Sequence, residues 1–273
     1  MAPEDFQFLA RLLRRRSGLS LGEDKRTLME RRLEPVARRF GFPDVGELVA
    51  DLRLGRQSLA EAVTEAMTFQ ESSFFREPAQ FGRFKAYVLP KLLAARAPQK
   101  ALRLWSAATA AGQEAYSIAM ILSDLGLARQ GWQLDIIATD ISAEAIARAE
   151  SGRYSAHEIE RAPELEALSQ HLRRDGAEWV VAQSLRRMVR FRRFNLLDSF
   201  GWLDDLDVVF CRNALMYFDA ATRADILDRI AETMRPDAVL LLGEHEAAGR
   251  AFEESGDGAG ICARKRVQLA RAG

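Results

Sequence analysis

Apolar residues over the first 70 positions recur at helical spacing and nowhere alternate. Residues 4–18 place Phe6, Leu9, Leu12 and Leu13 on one face and stop at Gly18. Residues 22–41 do the same with Leu28, Leu33, Val36 and Phe40, between Gly22 and Gly41. Two more helical stretches follow, 44–55 and 59–69. From about residue 100 the pattern changes. "ALRLW", "LDIIATD", "MVRFRRF", "LDVVFC" and "AVLLLG" read as short apolar strands. Helices are expected from about Glu114, over 142–152 and over 219–236. This alternation predicts an α/β fold with a doubly wound, mostly parallel sheet. The expected division is a small all-helical N-terminal domain over 1–75 and an α/β domain over 76–273. Residues 151–188 are too long for a simple connection and predict a small inserted subdomain. The glycine-rich stretch "ESGDGAGICA" predicts no element.

The 273 residues are 48% hydrophobic, enough for a packed core, and formal net charge is zero. That balance argues against a chain built throughout for nucleic acid. Cys211 and Cys262 form no CxxC pair, so neither a disulfide framework nor a structural zinc site is expected. His157, His171 and His245 are scattered without metal-ligand spacing. No apolar run reaches the roughly 20 residues of a membrane span, and the N-terminus does not read as a signal peptide. A cytoplasmic protein without membrane insertion is the expectation. Charge is uneven, however. Residues 11–39 hold ten Lys or Arg against four acids. Such a run is either a solvated face or a docking face for an acidic partner.

Ligands of open parallel sheets sit at the carboxyl ends of the strands. Three such ends carry polar residues suited to a nucleoside. The loop after the first strand has Gly112 and Glu114. The second strand closes on Asp140, 28 residues beyond Gly112, where an acid can accept both ribose hydroxyls. Asn195 and Asn213 close two later strands, and their amides suit an adenine edge or an amino-acid group. A dinucleotide fold would also place an acid like Asp140. Yet pyrophosphate needs a run of glycines, and "AATAAGQE" has only one. Glu114 would repel phosphate and attract a cationic amino-acid tail. The residues therefore favour S-adenosylmethionine over a dinucleotide.

"FQESSFFRE", "LWSAATAAGQEAYSIAM", "IIATDIS", "GRY", "VRFRRFNLLD", "DVVFCRNALMYFD" and "LLLGEHE" resemble, in order and spacing, the CheR family. These are chemotaxis receptor methyltransferases, protein-glutamate O-methyltransferases that use S-adenosylmethionine. The likeness covers nearly the whole chain and implies a class I S-adenosylmethionine-dependent methyltransferase sheet. It implies cofactor contacts at Gln70, Ser72, Arg76, Glu114, Asp140, Asn195, Leu196, Asn213 and Ala214. It places Tyr217 near the transferred methyl. Several positions depart from the family pattern. The family loop Ala-Gly-Cys-Ser-Thr-Gly-Glu-Glu-Pro-Tyr-Ser differs here at Ala108, Thr109, Ala110, Ala111, Gln113 and Ala115. Ala108 adds a methyl where the backbone runs near the cofactor. Gly-His-Ser-Glu becomes Gly243, Glu244, His245, Glu246. The insert docks a receptor C-terminal peptide in some members. Here its hairpin is short, and no such tether is expected.

The implied activity is methyl esterification of glutamates on the cytoplasmic helices of chemoreceptors, in sensory adaptation. A glutamate is ionised at neutral pH, so no strong general base and no triad are needed. Arg76 is expected to order the cofactor region or the incoming carboxylate, and Tyr217 to position the reacting groups. Arg31, Arg32, Arg38 and Arg39 become candidates for docking a glutamate-rich receptor bundle. Arg212 reads equally as an outward ion pair or a substrate contact. A monomer is the default. Two other classes stay open: a methyltransferase of another substrate, and a cofactor- or receptor-binding module with weak or no turnover.

Overall fold

The computed structural model describes residues 1–163, 165–254 and 260–264. Its first four helices, α1 (Pro3–Ser17), α2 (Arg26–Arg39), α3 (Val45–Arg53) and α4 (Gln57–Met67), close on one apolar core. α1 buries Phe6, Leu9 and Leu13 and ends where Gly18 turns to φ 77°, a left-handed turn that suits glycine. The buried stripe of α2 is Met29, Leu33, Val36 and Ala37, spaced i, i+4, i+7 and i+8. Leu33 and Val36 of the expected face are buried and Met29 and Ala37 join them, while Leu28 and Phe40 are half-buried, Phe40 packing against this same core.

Helix α5 (Pro78–Arg83), a π-turn over Phe84–Val88 and α6 (Leu89–Ala95) lead into the sheet. Then β1 (Ala101–Ala107), α7 (Gln113–Asp124), β2 (Gln133–Asp140) and α8 (Ala143–Ser151) alternate. The insert follows: β3 (Arg153–Ser155), α9 (Ala156–Glu160), α10 (Leu165–Ser169), β4 (Leu172–Asp175) and β5 (Glu178–Val181). Its strands form a separate antiparallel sheet in the order β3-β5-β4. The chain returns through α11 (Gln183–Arg186), β6 (Val189–Arg193), β7 (Leu206–Cys211), α12 (Ala220–Thr233) and β8 (Met234–Leu242). It closes on β9 (Phe252–Glu254) and β10 (Ile261–Arg264).

The main sheet has the order β6-β2-β1-β7-β8-β10-β9, and only β10 runs against the others. β1 explains the two layers. Leu102 and Leu104 enter the core shared with α7, while Trp105 and Ala107 enter the core shared with α12. A strand buried on both faces reads as a continuous apolar run, as the sequence did. β8 begins at Met234, where the helix was expected to run on to Pro236. Neither β9 nor β10 was expected, because each is short and the glycine-rich stretch lies between them. Residues 255–259 of that stretch lie outside the described residues.

Strand order reverses between β1 and β7, which opens a crevice at their carboxyl ends. The helical domain docks over that crevice. Glu65 of α4 accepts the Ala143 N–H at 3.3 Å, the Glu144 N–H at 3.0 Å and the Ser142 hydroxyl, so it caps α8 from outside. The Asn195 amide donates to the Arg16 carbonyl at 2.6 Å. Leu19 bridges to Phe218, and the Ser20 N–H donates to the Tyr217 carbonyl at 2.9 Å.

Candidate active site

A cleft occupies the crevice. Its floor comes from four strand ends: Ala108 to Ala110 after β1, Asp140 and Ile141 after β2, Phe194 to Leu196 after β6, and Arg212 to Ala214 after β7. The helical side adds Ser17, Leu19, Thr68 and Phe69, and the connecting segment adds Ser72, Ser73 and Arg76.

Asp140 is 6% exposed and organises the loop above β1. Its carboxylate accepts the Ala110 and Ser142 N–H groups, each at 2.9 Å. Burial nonetheless pushes its carboxyl above the usual range, and these hydrogen bonds oppose the shift. Asp140 is not the cap of α8. That role belongs to Ser142, which accepts the Ala145 N–H at 3.0 Å.

Glu114 lies in the first turn of α7 and faces two partners. The Ser106 hydroxyl donates to it at 2.8 Å and Arg212 at 3.1 Å. Burial raises its carboxyl above the usual range, and Arg212 pulls it back. Arg212 is 6% exposed and points inward, so it is not the outward ion pair that the sequence allowed. It pairs with Glu77 at 3.1 Å, donates to the Arg76 carbonyl at 2.6 Å and lies over the Phe81 ring. One buried guanidinium thus ties β7 to α7 and to the 70–77 segment. Desolvating it is tolerable only because carboxylates and a carbonyl surround it.

The loop after β7 is held by Glu246. One carboxylate oxygen accepts the N–H groups of Asn213 and Gly243, both at 2.8 Å. The other accepts Leu215 at 2.7 Å and Met216 at 3.2 Å. Asn213 is left-handed at φ 58°, and its amide donates to Glu77 at 3.1 Å. Gly243 must be glycine, since a Cβ would stand 2.7 Å from the Asn213 amide nitrogen.

Among the residues expected at the cofactor, Ser72, Arg76, Glu114, Asp140, Asn195, Leu196, Asn213 and Ala214 all line this one cleft, as does Tyr217. Gln70 does not. It is exposed, donates to Thr68 at 2.9 Å and reaches Asp140 from behind at 3.5 Å. The Asn195 amide is engaged with Arg16 and with the Leu197 N–H, so it shapes the wall. Arg76 donates to the Glu71 carbonyl at 3.0 Å. Tyr217 stacks on Phe69, and its phenol is pushed up chiefly by burial. Of the four docking arginines, Arg31, Arg38 and Arg39 are exposed. Arg32 is turned inward and donates to the Met67 and Thr68 carbonyls, because these lie at the C-terminal end of α4 beside it. Sequence reasoning did not assign Glu77, Phe69 or the clamp made by Glu246. These act through contacts between segments distant in the chain, and no local pattern marks them.

The cleft fits S-adenosylmethionine. It offers a carboxylate at the β2 end, a carboxylate at the helix start, apolar walls from Leu196 and Ala214, and no cluster of glycine amides for phosphate. The Thr109 hydroxyl is buried in its wall without a hydrogen-bond partner among the described residues, a polar atom left for a ligand.

Comparison with known proteins agrees. The family model described as CheR methyltransferase, SAM binding domain, matches residues 70–255, and that of the CheR methyltransferase all-alpha domain matches 4–68. The chain is 38% identical over 252 residues to Chemotaxis protein methyltransferase 1 of Pseudomonas aeruginosa, covering 90% of this chain and 91% of that protein. It is 38% identical over 250 residues to Chemotaxis protein methyltransferase Cher2 of Pseudomonas putida, covering 89% and 90%. It is 32% identical over 252 residues to Chemotaxis protein methyltransferase 1 of Vibrio cholerae, covering 90% of each. With both family models in place along the chain, this protein belongs to the CheR methyltransferase family and binds S-adenosylmethionine.

Proposed function

We propose that the protein transfers the methyl group of S-adenosylmethionine to glutamate side chains on the cytoplasmic helices of chemoreceptors. The observation that carries this reading is the single cleft that joins Glu114, Asp140 and Asn213 to Arg76 and Tyr217, roofed by a helical domain with an exposed arginine face. In this reading Asp140 receives the ribose hydroxyls and Glu114 the amino group of the methionine end. Leu196 and Ala214 flank the adenine, while Asn195 and Gln70 act on the wall. Arg76 receives the substrate carboxylate, and Tyr217 orients it.

S-Adenosylmethionine supplies a methyl made electrophilic by the positive sulfur. A bond from carboxylate oxygen to the methyl carbon forms as the carbon–sulfur bond breaks, leaving a methyl ester and a neutral thioether. No proton changes hands, so the chain's task is alignment and exclusion of water. Arg31, Arg38 and Arg39 would steer a glutamate-rich bundle toward the cleft. The protein acts in the cytoplasm in this reading, as a monomer.

The test is incubation with methyl-labelled S-adenosylmethionine and a chemoreceptor cytoplasmic fragment, followed by mild base. Label released as methanol, mapped to glutamates by mass spectrometry, is the expected result. Base-stable label, or tight binding of S-adenosylhomocysteine with no transfer to any receptor fragment, would overturn the reading.

A further inference from the structure

Helix α2 carries the exposed arginines, and from the same helix Arg32 reaches the cleft by another route. Its guanidinium carbon lies 4.4 Å from the centroid of the Phe69 ring, and it donates to the Thr68 carbonyl at 2.9 Å. The Phe69 ring stacks on Tyr217, with centroids 4.3 Å apart and planes 4° from parallel. Two groups this close to one ring occupy its opposite faces, so the three form a column. Phe69 and Tyr217 also pack against the apolar core of the helical domain, although Tyr217 belongs to the loop after β7.

The backbone at Tyr217 is fixed by the Ser20 N–H and by the short turn Leu215–Tyr217. Its half-buried ring packs on the apolar core of the helical domain, and among the described residues its one ring stack is with Phe69. The charged groups that Tyr217 feels are Glu71, Arg76, Arg32 and Glu246, and burial pushes its phenol further above its ordinary value.

We propose that Phe69 and Arg32 are positioning residues for methyl transfer. They hold the Tyr217 ring against the cleft and tie it directly to the receptor-facing helix α2. This inference rests on the reading of Tyr217 as the residue beside the transferred methyl. In-line displacement tolerates little misalignment, and an offset of about 1 Å costs on the order of a hundredfold in rate. A ring free to rotate therefore lowers the rate while the cofactor still binds through Asp140 and Glu114. Arg32 is thus separated in role from Arg31, Arg38 and Arg39.

The experiment uses the full chain with Phe69→Leu, Phe69→Tyr and Arg32→Met. Receptor methylation gives kcat and KM, and calorimetry gives S-adenosylhomocysteine affinity. Fluorotyrosine labelling gives a resonance for Tyr217, one of only four tyrosines, assigned with Tyr217→Phe. Phe69→Leu should lower kcat about tenfold with affinity changed less than about threefold, and should move the Tyr217 resonance as the ring current is lost. Phe69→Tyr should restore most of the rate, and Arg32→Met should lower kcat about threefold. Unchanged kcat in Phe69→Leu, or a loss that follows affinity alone, overturns the inference. If the wild-type chain methylates no receptor, the functional reading fails instead. The resonance then still decides: an unmoved Tyr217 signal in Phe69→Leu and Arg32→Met overturns the stack itself.

Discussion

The Arg212 guanidinium stands 3.1 Å from the Glu114 carboxylate in the wall of the cofactor cleft. Burial raises Glu114 and Arg212 restrains it, so its folded value lies above the ordinary 4.5. Above 4.5 the native state then holds a proton that the unfolded chain has lost, and this group's contribution to stability falls as pH rises through that window. A cationic ligand reverses the preference, because it needs Glu114 ionised. Binding of S-adenosylmethionine should therefore weaken, and release a proton, as pH is lowered through the raised Glu114 titration. Glu114→Gln should cost about 10- to 100-fold in affinity at neutral pH and flatten that slope. Calorimetry in two buffers of different ionisation enthalpy measures both. A slope unchanged in Glu114→Gln would assign the titration to Asp140, which shifts the same way.

Glu246 lies outside the cleft lining, yet it accepts three backbone N–H groups from the loop that bears Asn213 and Tyr217, and a fourth from Gly243 after β8. Glu246→Ala leaves those donors to find water or nothing. At about 1–3 kcal/mol for a buried unpaired group, a loss of about 2–5 kcal/mol in urea unfolding is expected. Glu246→Gln keeps the shape but turns an amide N–H₂ toward two donors, and should cost about 1–3 kcal/mol. Both should weaken S-adenosylhomocysteine binding. Stability and affinity equal to wild type in Glu246→Ala would mean that the loop holds itself.

The sheet was legible because a parallel strand buried on both faces writes a continuous apolar run, as 206–211 does. Strand-end chemistry was legible for a similar reason: Asp140 and Asn213 follow such runs directly. The short strands β9 and β10 were not, since three or four residues beside glycines carry no period. The direction of Arg212 was equally hidden. "FCRN" alone gives no sign that Glu77 and Glu114 converge on that arginine from distant segments. Arg32 was misgrouped because it shares a helix and a charge with its neighbours but faces the end of α4.

The loop after β1 offers a paired prediction. Ala108 and Ala110 take left-handed φ values of 55° and 51°, which strain an L side chain by about 1–2 kcal/mol. Ala108→Gly relieves that strain but adds about 0.4–1 kcal/mol of unfolded-state entropy, so stability should rise by only about 0.5 kcal/mol. Gly112 is different. It sits at φ 90°, and a Cβ would stand 2.8 Å from the Ala149 Cβ. Gly112→Ala should therefore lose about 2–4 kcal/mol, from left-handed strain plus overpacking against α8. Thermal melting separates the two signs. A Gly112→Ala chain as stable as wild type would mean that α8 yields at Ala149.

The exposed arginines set the last expectation. Arg31, Arg38 and Arg39 lie open on α2, and complementary surface charge acts mainly on encounter rates. The double variant Arg38→Glu with Arg39→Glu should lower kcat/KM for receptor methylation about tenfold at low salt, with kcat nearly unchanged. Wild-type kcat/KM should fall as salt rises, since the screening length shrinks from about 30 Å at 0.01 M to about 8 Å at 0.15 M. The variant should lose most of that dependence. Arg32→Met should behave in the opposite way, with a lowered kcat and a wild-type salt response, because its guanidinium is committed to Phe69 and Thr68. Salt-insensitive methylation by the wild-type chain would assign the face to solvation. An equal salt response in all three chains would place docking elsewhere on the helical domain.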